Sequence, residues 1–209
     1  MLFRTRRTLH WAGSPPQTRV WVPELDAHTA RTLSSVLPPG APQEPECAPL
    51  LYCGAPYYLP VSSFISRGRW VPAAVPEPPH MEVTATVRER AGGAELTIAV
   101  AAPPHLVVII SPAAGVRLEG VTAECDNVTS AVPLVAGPSW GGRDTYFLLL
   151  TAGSGRWGLR ARLGGAGGGG RWADLSVGGH WLGGGAGLGG LPDWTTVTGW
   201  PVDLHLYRL

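Results

Sequence analysis

The chain contains no lysine and a single asparagine, Asn127, in 209 residues. Its sixteen basic residues are therefore all arginine, set against fifteen acids for a formal net charge of +1. So even a balance provides no electrostatic footprint for nucleic acid or for an acidic lipid surface. Uninterrupted hydrophobic runs are missing too. The most apolar region, residues 96–116, is broken by Pro103-Pro104-His105 and again by Pro112. A spanning helix needs about 20 mainly apolar residues, and prolines so placed mark strands and turns instead. The N-terminus, Met1-Leu2-Phe3-Arg4-Thr5-Arg6-Arg7, is basic but leads into no apolar stretch, so it does not read as a secretory leader. The chain is then either cytosolic or the tail of something longer.

Catalytic signatures are equally scarce. Six histidines stand at 10, 28, 80, 105, 180 and 205, with no His-Glu-x-x-His, His-x-His or His-x-Asp among them. No Gly-x-Ser-x-Gly elbow occurs, which leaves a serine hydrolase nothing to stand on. Asp203 and His205 lie two apart on one strand face and would ligate a metal only with partners from elsewhere; a hydrogen-bonded or solvated pair is the simpler reading. Gly164 to Gly170, six glycines in seven residues, precedes no helix and lacks phosphate-loop spacing. It reads as a flexible hairpin loop.

What is present is a strand pattern. Hydrophobic residues make up 44 %, enough for one well-buried core in a chain of this length. The 29 glycines and 21 prolines, with arginine as the only base, look like a biased composition, so small enrichments of these types carry no functional weight. The C-terminal stretch from Asp174 to Leu209 organises the chain. Ala173, Leu175 and Val177 alternate with Asp174 and Ser176, and Val202, Leu204 and Leu206 alternate with Asp203, His205 and Tyr207. Period two predicts a sheet with one wet face.

Upstream, residues 2–11 and Arg19 to Val22 predict two strands, Asp26 to Val36 a short helix, and Leu37 to Pro49 an irregular loop. Cys53 to Pro60 is aromatic, framed by proline and unlikely to be regular, and residues 72–79 read as a linker. Beyond Met81, Val83-Ala85-Val87 and Leu96-Ile98-Val100 flank the turn Ala91-Gly92-Gly93-Ala94, the best hairpin in the sequence. Leu106 to Ile110 and Tyr146 to Leu150 read as buried strands, and Trp157, Leu159, Ala161 and Leu163 as an inward-facing row. The expectation is an all-β, mainly antiparallel, jelly-roll-like sandwich with long irregular loops and little helix. It forms one domain over 1–209: an extended proline-rich lead-in over 1–80 with two strands, and the sandwich core over 81–209.

Cys47 and Cys53 flank Ala48-Pro49-Leu50-Leu51-Tyr52. In a reducing compartment they are two thiols; in an oxidising one they could close a small loop. A zinc site would need a second close pair, which is absent. Cys125 is left over as a thiol. Asn127-Val128-Thr129 is a glycan acceptor pattern in a secreted chain. Nine tryptophans would suit a sugar-binding platform, although Trp157, Trp194 and Trp200 read more simply as core. Loss of glycan binding on replacing Trp140 or Trp181 would favour such a platform.

Several stretches together resemble the C-terminal luminal domain of the endoplasmic reticulum metallopeptidase family, membrane-embedded relatives of the two-zinc aminopeptidases. They are Arg7-Thr8-Leu9-His10, Cys53-Gly54-Ala55-Pro56-Tyr57-Tyr58-Leu59-Pro60-Val61, Trp70-Val71-Pro72-Ala73, Ile110-Ser111-Pro112-Ala113-Ala114-Gly115-Val116, Tyr146-Phe147, Gly179-His180-Trp181-Leu182-Gly183, and Leu191-Pro192-Asp193-Trp194-Thr195 with Trp200. They occur in the family's order and cover nearly the whole chain. The resemblance implies a parent protein with a luminal zinc peptidase domain first, several membrane spans next, and this β-domain last. The parent's zinc ligands and catalytic glutamate have no counterpart here, so no catalytic or metal residue is assigned and no cofactor is expected in this chain, with zinc implied for the parent only. The expected partners are the parent's peptidase and transmembrane domains, with no nucleic acid and no membrane span in this chain. A luminal setting agrees with a Cys47–Cys53 bond and a used sequon at Asn127. The glycine-rich regions 164–170 and 183–190 depart from the family, where relatives carry more ordered chain.

Three functions compete on these residues. The leading one is a non-catalytic luminal module with a structural or interaction role in the membrane peptidase. The second is a free-standing sandwich that binds glycan or protein ligands. The third is an independent hydrolase using Asp203 and His205 with a distant acid.

Overall fold

The computed structural model describes residues 2–23, 50–56, 68–71, 77–101, 103–151, 155–182 and 199–209, without the side chains of Leu2 and Arg69. The described residues form twelve strands: β1 (Leu2–Leu9), β2 (Gln17–Pro23), β3 (Gly68–Val71), β4 (Glu82–Arg90), β5 (Gly93–Ala101), β6 (His105–Pro112), β7 (Val116–Cys125), β8 (Val128–Val132), β9 (Tyr146–Thr151), β10 (Arg156–Gly165), β11 (Ala173–His180) and β12 (Gly199–Arg208). Seven make one sheet in the order β3-β2-β1-β12-β11-β6-β9, and five make another in the order β4-β5-β10-β7-β8. The predicted all-β, two-sheet and mainly antiparallel architecture is what the chain adopts. Among the described residues neither sheet closes into a barrel, and no helix is long and apolar enough to cross a membrane.

The inner core lies between the sheets. Leu96, Ile98 and Val100 of β5 and Trp157, Leu159, Ala161 and Leu163 of β10 meet Leu106, Val108 and Ile110 of β6 and Leu175 and Val177 of β11. The turn at Ala91-Gly92 closes the β4–β5 hairpin in register from Arg90↔Gly93 to Glu82↔Ala101, as expected. Strands β1 and β2 fall where the alternation placed them. Strand β3 escaped the sequence reading; it pairs with β2 through Val20↔Val71 to Pro23↔Gly68.

Three readings of strands and loops are corrected. The β11–β12 pair has no wet face: every residue of β11 is buried, and Asp203, His205 and Tyr207 are 0 %, 4 % and 7 % exposed. The reason is that both faces are covered: Asp203, His205 and Tyr207 turn inward toward Met81 and Val83, and a second apolar layer lies on the far side of the seven-stranded sheet. There Leu50, Leu51, Tyr52 and Ala55, around a short 3-10 turn at Leu51–Gly54, join Phe3, Trp21 and Trp70 over Val202, Leu204 and Leu206. Each of these three β12 side chains contributes about 2 kcal/mol by burial. With both faces covered, polar side chains on β11 and β12 had to find partners inside the protein.

The second correction concerns residues 164–170, which make no hairpin. They carry the chain from β10 in the five-stranded sheet to β11 in the seven-stranded one. Glycine is needed at Gly165, whose φ is +110° and whose Cβ would collide with the Gly115 carbonyl oxygen. The third is β9, an edge strand buried on one face only, with Leu149 47 % exposed. The predicted helix over 26–36, the loop over 37–49, the linker residues 72–76, Trp194 and the 183–190 glycines lie outside the described residues.

One pairing is unlike the rest. Strand β1 runs parallel to β12, with Leu2↔Gly199 through Leu9↔Leu206. This places the side chains of Arg6 and Thr8 on the same face as Asp203 and His205, across almost the full length of the chain.

Candidate functional site

Asp203 is the centre of the most polar constellation within the inner layer. Its Oδ2 accepts the backbone N–H of Met81 at 2.8 Å. His205 Nε2 stands 3.2 Å from the same oxygen, and Arg6 Nη1 reaches it at 3.4 Å and Oδ1 at 3.5 Å. His80 Nδ1 sits between acid and base, 3.0 Å from Asp203 Oδ2 and 2.6 Å from Arg6 Nη1. It can serve one of them at a time, as an N–H donor to the carboxylate or as an acceptor for the guanidinium. Strand β12 presents Asp203 and His205, β1 presents Arg6, and the segment leading into β4 brings His80 and the Met81 amide.

From Asp203 a line of imidazoles leads to the surface. With the carboxylate ionised, His205 Nε2–H donates to it; His205 Nδ1, 2.9 Å from His10 Nε2, accepts from His10 when the His205 ring is neutral and donates to it when that ring is charged. The exposed His10 ring stacks on Tyr207 with centroids 3.9 Å apart and planes within 6°. Tyr207 Oη in turn donates to the Val83 carbonyl at 3.2 Å, tying β12 to β4.

The electrostatics follow from this wiring. Burial by itself would raise the Asp203 pKa. Hydrogen bonds from His205, the Met81 N–H and His80, with the His205 charge, outweigh it and hold the carboxyl below its ordinary range. Burial, then His205, lowers the His10 pKa against the pull of Asp203. Burial, then the Asp203 charge, pushes the Tyr207 phenol up to about 12. Elsewhere in the seven-stranded sheet, burial and His105 press His180 down to about 3.

Two chemical uses can be tested on this geometry. The ligand atoms of His80, Asp203 and His205 lie within 4.8 Å of one another, and two histidines with one carboxylate are a set that zinc accepts. The position a cation would take is already served by Arg6, whose Nη1 contacts His80 Nδ1 and both Asp203 oxygens. A dication there would face a guanidinium at contact distance, so the constellation does not fit a metal. For hydrolysis a nucleophile is needed beside the base. Among the described residues no serine, threonine or cysteine hydrogen-bonds to His10, His80 or His205. Thr8 Oγ1 is next in register to His205 but is buried without a hydrogen-bond partner.

The other candidates lie apart. Cys47 is outside the described residues, and Cys53 sits in the 3-10 turn at φ +57°. Asn127 and Thr129 are exposed at the β7–β8 turn, where Asp126 and Asn127 have φ +52° and +63°. Cys125 keeps a half-buried thiol at the end of β7. Trp157 is inner core, Trp181 packs against that core and Trp200 packs on the outer layer. Trp140 is half-buried and lines a surface depression.

Sequence reasoning found Asp203 and His205 but not Arg6, His10 or His80 as their companions. The only usable signal was the polar row Arg6, Thr8, His10 on an alternating strand.

The family model described as Endoplasmic reticulum metallopeptidase 1, C-terminal domain, matches residues 1–207. No curated protein matches the chain significantly.

Proposed function

The chain belongs to the family of the C-terminal domain of endoplasmic reticulum metallopeptidase 1, and from that premise we propose that it is a non-catalytic luminal module of a membrane zinc peptidase. Its role is structural or interactive, within one domain over 1–209 that packs against the peptidase and transmembrane parts of the longer protein. It carries no catalytic residue, metal or cofactor of its own; the zinc belongs to the peptidase part. The observation that supports this is the Asp203 cluster, where acid and base are matched inside the fold. Arg6, His80, His205 and the Met81 amide each direct one polar group at a single carboxylate. That is a brace between β1, β12 and the start of β4, and among the described residues no hydroxyl or thiol is hydrogen-bonded to its imidazoles.

Residues 1–209, made through a secretory route, should cleave no peptide substrate when zinc is added. Robust zinc-dependent cleavage that disappears in H205A would overturn the reading. The luminal setting entails two modifications. Non-reducing peptide mapping should recover Cys47 linked to Cys53, and glycosidase treatment should shift the wild type but not N127Q. The exposed, turn-borne position of Asn127 supports the second. Two reduced thiols and an unmodified Asn127 would remove the compartment from the proposal.

A second reading, a ligand-binding sandwich, is favoured by one observation: Trp140 borders an arginine-lined depression on the outer face.

A further inference from the structure

Asp174 of β11 lies on the opposite face of the seven-stranded sheet from Asp203 and is 3 % exposed. One of its oxygens accepts from Arg143 Nη2 and the other from Arg171 Nη2. Arg143 comes from a tight hairpin over Trp140-Gly141-Gly142-Arg143, closed by reciprocal backbone bonds of 3.0 Å. Gly141 and Gly142 have φ +56° and +74°, the two positive values that a type I′ turn requires. The turn sets the Arg143 guanidinium 4.8 Å from the centre of the Trp140 ring, and Arg143 Nη1 also donates to the Pro112 carbonyl at 3.3 Å. Arg208, across the β11–β12 ladder from Asp174, stacks on Trp11 at 4.2 Å. Trp140, Arg143, Arg171 and Arg208 border a depression of about 490 Å³, together with Ala113 and Ala114.

Arg143 and Arg171 share one carboxylate, so Asp174 cancels only one of their two charges. Arg171 is 44 % exposed and has no other hydrogen bond among the described residues, so most of its N–H fork is available. Asp174 holds Arg143 and Arg171 at fixed positions, which lowers the ordering cost when a ligand binds. A planar guanidinium fork matches a carboxylate in two-point contact. The Trp140 indole and the two alanines that line the depression supply apolar surface for a pyranose ring. The volume falls in the range of small-ligand sites.

We propose that this depression binds a carboxylate-bearing sugar residue of the hexuronate or sialate class, its carboxylate on Arg171 and Arg143 and its ring against Trp140. The site is on the outer face, apart from the Asp203 brace, and does not depend on the chain's lacking catalysis.

The test is titration of residues 1–209 with glucuronate, N-acetylneuraminate, glucose, inorganic phosphate and a glutamate-rich peptide, followed at the Trp140 indole N–H by NMR. At least one acidic sugar should shift that signal saturably, with glucose at least about tenfold weaker. R171Q should weaken the acidic sugar by about tenfold or more, while Arg143 keeps Asp174 paired and the fold intact. W140A, read by calorimetry, should weaken it too and serves if R171Q fails to fold. Failure of both acidic sugars to saturate would overturn the proposal. So would equal affinity for phosphate or the peptide, or unchanged binding in R171Q and W140A.

Discussion

Two buried aspartates one strand apart meet arginine in opposite ways. Asp203, on the inner face of β12, has one arginine, two histidines and a backbone amide, and its own side chain is wholly enclosed. Asp174, on the outer face of β11, has two arginines that are 20 % and 44 % exposed and border an open depression. In the first cluster one arginine matches the one carboxylate and water reaches it mainly through His80, whose side chain is 60 % exposed; in the second, two arginines share one carboxylate and border open solvent. The difference teaches that a buried acid can serve as a brace or as an anchor for donors aimed outward. Which role it takes depends on how many cations share it and where their far sides point.

The largest test of that contrast is to remove each carboxylate. D203A leaves Arg6 and the Met81 amide without their acceptor inside the fold, and should cost about 3–5 kcal/mol in urea unfolding. D174A frees two arginines that can turn to solvent, and should cost about 1–2 kcal/mol. Equal losses would erase the distinction between the two sites.

Acid gives an effect of similar size over its full range. The folded-state pKa values of His10 and His180 lie below the ordinary histidine value, so the unfolded chain takes up protons that the native chain refuses. Stability must therefore fall as pH drops below about 6.5, the unfolded value. For His180 the loss continues toward its folded value of about 3, at up to about 1.4 kcal/mol per pH unit. H180Q should flatten most of that slope and H10Q only its upper end. Matching slopes in wild type and H180Q would show that burial of this imidazole is not what acid attacks.

Salt gives the smallest effect. R171Q should cost at most about 1 kcal/mol at low ionic strength and nearly nothing at about 1 M salt, because the pair is half in water. R6Q, at the enclosed site, should show a loss that salt barely changes. Parallel salt responses would mean that both pairs see the same dielectric.

Much of this architecture was legible in the sequence. Alternation located β1, β2, β4, β5, β10, β11 and β12, because side-chain period two is a local property of the backbone. What alternation could not say was which side of β12 met water. Asp203, His205 and Tyr207 read as a solvent face because polar side chains usually are one; in the fold they turn inward toward Met81 and Val83, while the layer around Leu51 and Trp70 takes the apolar face. The brace was half visible for a similar reason. Asp203 and His205 are two residues apart, whereas Arg6 and His10 join them over separations of 197 and 195 residues. A parallel pairing between the first and last described strands has no short-range signature. Strand β3, four residues long beside a proline-rich stretch, offered too few positions for a period to show.

That parallel pairing has a consequence for how the protein is made. Strand β12 is hydrogen-bonded between β1 and β11, yet it is synthesised after every other described strand. Until it emerges, β1, β2 and β3 must wait as a separate ribbon with an open edge, while the β4–β10 region can already assemble from contacts nearer in sequence. Long-range closure of this kind is slow, and open edges invite pairing with other chains. Chaperones would thus find their target in the interval before the final strand slides into the gap that the first one has been holding open.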